Sequence, residues 1–385
     1  MTQSSKYSNI IDYIKGLFPN QSFIPLHEPR FVGNERKYVI DAIDSTYVSS
    51  VGAYVNRFEE MMQEITGAKY AVATVNGTAA LHMALIVAGV NQGDEVISQD
   101  LTFIATANAI SYLGASPVFL DIDRNNLGLS AASLEAFLQE NGKKESNATF
   151  NRKTGKRIAA CVPMHSFGFP CDIDKIAAIC DEWHIPLVED AAESLGSYHD
   201  SKHTGTTGLV GTFSFNGNKT VTCGGGGAIV TNNEAIAKLA KHLTTQAKVP
   251  HAWEFNHDHI GYNYRMPNLN AALACAQLEQ LSTFIENKRE LASKYKLFFD
   301  GIEGVEFVTE EPGAKANYWL NVLLLESKEE RDAFLTEANS NGVMVRPAWT
   351  LMHKLPMFQN NIYGDVSVST WVEERLVNIP SSVRL

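Results

Sequence analysis

At 385 residues the chain is too long for one small core and fits a large domain joined to a smaller one. Apolar residues make up 45% and charged residues 19%, ordinary for a globular protein, and a net charge of −11 with no basic run argues against nonspecific binding to nucleic acid or an anionic membrane. A small anionic ligand stays open, because a phosphate answers only to the few groups that touch it. Cys161, Cys171, Cys180, Cys223 and Cys275 are odd in number and contain no C-x-x-C pair, so they read as reduced thiols. The polar start lacks the apolar core of a signal peptide, and no apolar run is long enough to span a bilayer. The expected location is the cytoplasm.

In chain order, Ile10 to Phe18 is a short amphipathic helix, and Pro19, Pro25 and Pro29 mark an extended arm after it. Helical spacing resumes at Gly33–Ile43, breaks at Ser49-Ser-Val-Gly52, and returns through Phe58, Met62 and Ile65. From Tyr70 strands and helices alternate. The strand candidates are 70–75, 95–98, 117–122, 157–162, 186–190, 212–215 and 227–231, and 141–156 reads as a surface excursion. This alternation predicts an α/β domain with a largely parallel sheet and a ligand site beyond the carboxyl ends of its strands. After Thr231 come a helix to about Ala247, a loop rich in His and Asn, and one long helical stretch from Met266 to about Phe299. Strand-like 305–308 and 318–325, a helix at 329–341 and Val343–Pro347 then suggest a small α+β domain. The division is placed at 1–250 and 251–385.

Three stretches carry chemistry. Lys219 lies between Thr212-Phe-Ser-Phe215 and Gly224-Gly-Gly-Gly227; an amine in such partly dry surroundings either snorkels to water or becomes a nucleophile that forms Schiff bases. Val75-Asn-Gly-Thr78-Ala79 is a strand-to-helix junction suited to a phosphate, unless Thr78 simply caps the helix. Asp190, in Glu189-Asp-Ala-Ala-Glu193, ends a strand and either caps a helix or pairs with a cationic ring nitrogen. Together they supply what pyridoxal 5′-phosphate (PLP) needs: a lysine for the aldehyde, an acid for the pyridine nitrogen and a helix start for the phosphate. The glycines after Cys223 lead into a strand, which rules out a dinucleotide-binding turn.

Gly77-Thr-Ala-Ala-Leu81, Asp100–Asn108, Glu189–Glu193, Ser214-Phe with Lys219 following, and Gly261-Tyr-Asn263-Tyr-Arg265-Met266 resemble the DegT/StrS-type sugar-nucleotide aminotransferases in order and spacing. The resemblance runs from about residue 25 nearly to the C-terminus. It implies a fold-type I PLP enzyme with a mostly parallel seven-stranded sheet and a smaller C-terminal α+β domain. By position, Lys219 would hold the cofactor aldehyde covalently and Asp190 the pyridinium. Gly77, Thr78, the Ala79 amide and Ser214 would hold the phosphate, with Phe103 over the ring and Glu193 near the cofactor hydroxyl. Asn263 and Arg265 would act across the interface of a homodimer with shared active sites, Arg265 being alternatively a structural ion-pair residue. Many relatives have Gly-Glu-Gly-Gly where this chain has Gly224–Gly227, which is read as a flexible edge.

The implied reaction takes an amino group from L-glutamate, releases 2-oxoglutarate, and delivers the group to a keto-sugar nucleotide. Ser49–Gly52, Met164–Gly168, 257–263 and Arg346–His353 most resemble enzymes of the legionaminic acid type. That implies amination at C4 of a UDP-linked 4-keto-6-deoxy-N-acetylhexosamine in surface-glycan or nonulosonic acid biosynthesis. On this resemblance His165 would meet the reacting sugar, Arg346 the diphosphate, Trp349 a base or sugar face, and Ser50 would line the pocket. Interdomain packing is the other reading of His165, Arg346 and Trp349. A PLP-dependent sugar dehydratase is disfavoured, since those relatives carry His at the lysine position. A PLP-binding regulator is disfavoured because no basic helix-turn-helix segment is present. His257 and His259 have no third ligand nearby in sequence, so no metal is expected.

Overall fold

The computed structural model describes residues 6–384; the first five residues of the polar start lie outside the described residues. The N-terminal periodicity folds as α1 (Ser8–Leu17), with Ile10, Ile11 and Ile14 buried on one face. α2 (Glu35–Asp44) and α3 (Ala53–Thr66) follow, and α3 ends at Gly67 with a left-handed φ of 75°. Strands and helices then alternate as β1 (Tyr70–Thr74), α4 (Gly77–Val87), β2 (Glu95–Gln99), α5 (Ile104–Tyr112), β3 (Ser116–Leu120) and α6 (Ala131–Asn141).

The expected surface excursion is instead a hairpin, β4 (Gly142–Glu145) and β5 (Ala148–Asn151), paired onto β6 (Arg157–Val162). Its polar sequence hides a buried anchor: Asn151 and Thr154 each donate to the Glu95 carboxylate at 2.8 Å. Next come α7 (Ile173–Glu182), β7 (Val188–Asp190), the short pair β8 (Tyr198–His199) and β9 (Lys202–His203), then β10 (Val210–Ser214) and β11 (Gly227–Thr231). α8 (Glu234–Thr244) stops short of the expected Ala247 because Gln246 and Ala247 both take positive φ. The single helix expected from 266 to 299 is two, α9 (Asn268–Leu278) and α10 (Leu281–Phe299). The chain closes with β12 (Val305–Phe307), β13 (Ala314–Lys315), β14 (Asn321–Leu325), α11 (Lys328–Ser340), β15 (Arg346–Pro347), α12 (Ser367–Glu373) and β16 (Leu376–Ile379).

The α/β expectation holds; the strands expected in one mostly parallel seven-stranded sheet lie in two hydrogen-bonded ladders, and among them only the pairs made by β11 are antiparallel. Hydrogen-bonded ladders run in the orders β3-β2-β6-β5-β4 and β1-β11-β10-β7. Parallel bridges Cys161–Leu187 and Met164–Asp190 join them at a seam. β11 runs antiparallel to both β1 and β10, since the chain returns from β10 through a glycine turn with no crossover helix. β12, β14, β16 and β15 form a separate antiparallel sheet. Tyr7, Ile14, Tyr295 and Phe334 share one apolar cluster with it, so α1 packs against C-terminal elements. α9 instead shares a cluster with α3 and β10 through Ala271, Phe58 and Phe213. Among the described residues, no helix is long and apolar enough to cross a membrane.

Candidate active site

The carboxyl ends of β7 and β10 and the first turn of α4 converge on a cavity of about 300 Å³. Asn76 caps α4: its Oδ1 accepts the Ala79 N–H at 2.7 Å. The cap is therefore Asn76 and not Thr78, and the Ala79 amide expected to meet a phosphate is already used. Among the described residues, the amides of Gly77 and Thr78 have no hydrogen-bond partner, and both residues line the cavity. A Cβ at position 77 would lie 2.8 Å from the Cβ of Ser214, so only glycine lets α4 start against the end of β10. The helix start and Ser214 thus share one wall.

Asp190 is 2% exposed at the end of β7. Thr106 Oγ1 donates to its Oδ2 at 2.7 Å and the Ala192 N–H to its Oδ1 at 3.1 Å. Burial pushes its carboxyl above the usual range, against those two bonds. It is a dry acid at a cavity wall, with hydrogen-bond donors but no ion-pair partner among the described residues.

Lys219 follows β10, its side chain 12% exposed, with Nζ 3.2 Å from Glu193 Oε1 and 4.0 Å from the centroid of the Trp319 ring. Glu193 is buried, and burial raises its carboxyl to about 7 while Lys219 opposes the shift. Its second oxygen accepts the Phe167 N–H at 2.8 Å. Phe167 has φ 58°, a left-handed conformation that costs a bulky residue about 1–3 kcal/mol. Asn317 holds both sides together: Nδ2 donates to the carbonyls of Glu193 and Leu195, and Oδ1 accepts the Trp319 N–H. Trp319 Nε1–H donates in turn to the Asn218 carbonyl at 2.6 Å. Phe103, 45% exposed, and Trp349 also line the cavity; Trp349 stacks on Phe167 at 4.8 Å.

Lys219, Asp190, Glu193, Gly77, Thr78, Ser214, Phe103 and Trp349 are thus brought together, while other expected residues are not. His165 is fully buried and does not line the cavity. The Cys171 N–H donates to its Nδ1, which leaves Nε2–H for Glu189 at 3.0 Å. Glu189 also accepts three backbone amides, from Gly205, Thr207 and Gly208. With both nitrogens occupied, His165 is not placed to meet a sugar. Arg265 is the ion-pair residue of the second reading: its Nη1 lies 2.6 Å from Glu59 Oε1, both side chains under 10% exposed. Ser50, Asn263 and Arg346 do not line the cavity; Asn263 is exposed, and Arg346 donates to Asn339 and Val345.

The glycine run is less free than expected. Asn270 Nδ2 donates to the carbonyls of Cys223 and Gly225, and Gly227 packs against the Asn76 carbonyl. Gly225, where many relatives carry Glu, has open room: its Cβ would meet only the Val75 carbonyl, at 3.8 Å. Thr106, Asn317 and Trp319 were missed in the sequence. Each acts through a partner at least 84 positions away, and no local spacing announces them.

A lysine amine, a dry acid and a free helix start on one cavity define a site for an aromatic phosphate cofactor bearing a carbonyl. The sequence profile of the DegT/DnrJ/EryC1/StrS aminotransferase family matches residues 29–385. The chain is 36% identical over 359 residues to GDP-perosamine synthase of Escherichia coli O157:H7, covering 93% of each chain. It is 33% identical over 365 residues to GDP-perosamine synthase of Caulobacter vibrioides, covering 94% of each. The crystal structure of the aminotransferase TlmJ from Streptoalloteichus hindustanus superposes with a TM-score of 0.84 at 26% identity, over 93% of each chain. The chain belongs to the DegT/DnrJ/EryC1/StrS aminotransferase family, and it is a PLP-dependent aminotransferase. The residues present fit PLP, since the free amides of Gly77 and Thr78 and the unpaired buried Asp190 answer its phosphate and its ring nitrogen.

Proposed function

We propose that this cavity transfers an amino group from L-glutamate to C4 of a nucleotide-linked 4-keto-6-deoxy sugar. The observation that supports it most is Lys219 on the same cavity as Asp190 and the unpartnered amides of Gly77 and Thr78. When bound, PLP supplies an aldehyde that exchanges amines and a ring that draws electrons from the adjoining C–H bond. Lys219 would carry the aldehyde and, once displaced, move the proton with Nζ; Glu193 Oε1, 3.2 Å away, steadies that amine. Asp190 would keep the ring nitrogen protonated, which its buried carboxylate favours as an ion pair. Gly77, Thr78 and Ser214 would hold the phosphate, with Phe103 over the ring. Trp349, stacked on Phe167, offers a face for the sugar or base.

A homodimer with shared sites, in which Asn263 reaches the partner's cofactor, belongs to the same proposal, as does a cytoplasmic location. So does the division of the chain near residue 250, with α1 assigned to the smaller part on its packing. For the sugar, the resemblance of 49–52, 164–168, 257–263 and 346–353 to legionaminic-type enzymes supports a UDP-linked N-acetylhexosamine. The relatives named GDP-perosamine synthase support a GDP-linked sugar as the second reading. The test is a panel of UDP- and GDP-linked 4-keto-6-deoxy sugars with ¹⁵N-glutamate, read by NMR. Label at C4 of one class chooses between them. No label in any product rejects the proposal.

A further inference from the structure

The sequence placed His257 and His259 in a loop without a third ligand; in the fold His257 turns to the Gln246 carbonyl, and His259 is grouped with two other residues. His242, in the last turn of α8, meets Asp258 and His259 from the loop that follows. His242 Nε2 lies 2.6 Å and His259 Nδ1 2.9 Å from the same oxygen, Asp258 Oδ1, and all three atoms fall within 4.8 Å of one another. The side chains are 25%, 47% and 57% exposed in the order His242, Asp258, His259, so an ion from solvent can reach them.

We propose that His242, Asp258 and His259 bind one borderline divalent transition-metal ion, of the Zn²⁺ or Ni²⁺ class, which clips the 248–260 loop to the end of α8. Two imidazole nitrogens and one carboxylate oxygen form a donor set for these ions and not for Ca²⁺ or Mg²⁺, which take oxygen ligands. Tetrahedral zinc with bonds of roughly 2.0–2.1 Å separates its ligand atoms by roughly 3.3 Å. The present 2.6 and 2.9 Å contacts need to open by less than about 1 Å, within the reach of χ adjustments at exposed side chains. A fourth position is left for water.

The clip sits where the backbone needs it. The chain leaves α8 through Gln246 and Ala247, two successive non-glycine residues with φ 64° and 52°. Each such residue costs on the order of 1–3 kcal/mol and persists only where its surroundings over-determine it. A Cβ at Gly261 would lie 2.1 Å from the Gln246 carbonyl carbon, so the returning chain presses on this turn. The loop beyond carries Trp253, Phe255 and Ile260 at 78%, 77% and 85% exposure, and its own contacts are local: a Lys248–His257 bridge, Lys248 over the Phe255 ring and His251 against Trp253.

The test uses purified, PLP-loaded protein freed of metal by chelator, titrated with Zn²⁺ or Ni²⁺ alone by isothermal calorimetry. Metal content after gel filtration gives the stoichiometry. The expected result is saturable binding of one ion per chain, lost in His242→Ala and in His259→Ala but kept in His251→Ala. Zn²⁺ should also slow proteolytic cleavage within 248–260 in the parent and not in those two variants. If His242→Ala fails to fold, as judged by the PLP absorbance band, Asp258→Asn replaces it with the same expectation. Absence of saturable binding in the parent, or binding that survives in the His242→Ala/His259→Ala double variant, overturns the proposal. None of these readouts depends on aminotransferase activity.

Discussion

Two lysines meet at Trp319, and only one faces the cavity. Lys219 lies over the indole ring with a carboxylate at 3.2 Å. Lys288 is wholly buried and donates to two backbone carbonyls, those of Trp319 and Ser381. Burial pulls Lys288 down from 10.5 to about 7, the kind of shift that often marks a nucleophile. A search for depressed lysines would therefore choose Lys288. Its side chain is fully enclosed, and its amine donates to carbonyls. Access and partners, not basicity alone, make the site.

The largest test of that contrast is Lys219→Ala against Lys288→Met. The first should lose multiple turnover, since an acid–base group is worth roughly 10²- to 10⁴-fold and the covalent role adds to it. The second should retain turnover, measured as transfer of ¹⁵N from glutamate. The reverse outcome would exchange the two assignments. Next, in the proposed role Asp190→Asn would leave the ring nitrogen without its buried counter-charge, an expected loss of about 3–5 kcal/mol. The cofactor should then leave on gel filtration, seen as a missing absorbance band; full retention would remove Asp190 from its role.

Lys288 itself predicts a pH effect. Its folded value of about 7 lies below the 10.5 of the unfolded chain, so the unfolded chain binds more protons between them. Stability must then rise with pH across that window. The parent should gain unfolding free energy, measured by urea titration, between pH 7 and 9 relative to Lys288→Met, by up to a few kcal/mol; parallel profiles would contradict the burial described. Glu193→Gln weakens a charge-assisted bond worth about 1.5–3 kcal/mol, and kcat should fall by roughly ten- to a hundredfold with the PLP band retained. The smallest effect is expected for Trp319→Phe, which keeps a ring but drops the Asn218 bond. A loss of about 1 kcal/mol in stability, read by denaturant titration, is expected. A much larger loss would make the indole nitrogen the main support of the Lys219 turn.

Local signals carried the centre of the site. Thr78, Asp190 and Ser214 each end a strand or open a helix, and Lys219 lies in the turn that follows β10; such junctions can be read from a few neighbouring residues. They do line one cavity. A junction does not disclose which hydrogen bonds are already taken: Asn76 claims the Ala79 amide, and Cys171 with Glu189 claims both nitrogens of His165. Arg265 read as a binding residue first and an ion-pair residue second, because its partner Glu59 lies 206 positions away. The sheet order escaped for the same reason, since β11 joins β1 across more than 150 residues.

Asn317 gives the site a mechanical property. One amide side chain ties the loop that carries Glu193 to the segment that carries Trp319, and those two residues are what Lys219 touches. Residues 317–319 lead directly into β14 of the C-terminal sheet. Any displacement of that sheet would strain this tether or drag the loop with it. Such a displacement would therefore alter the surroundings of the Lys219 amine through Glu193 and Trp319, without direct contact.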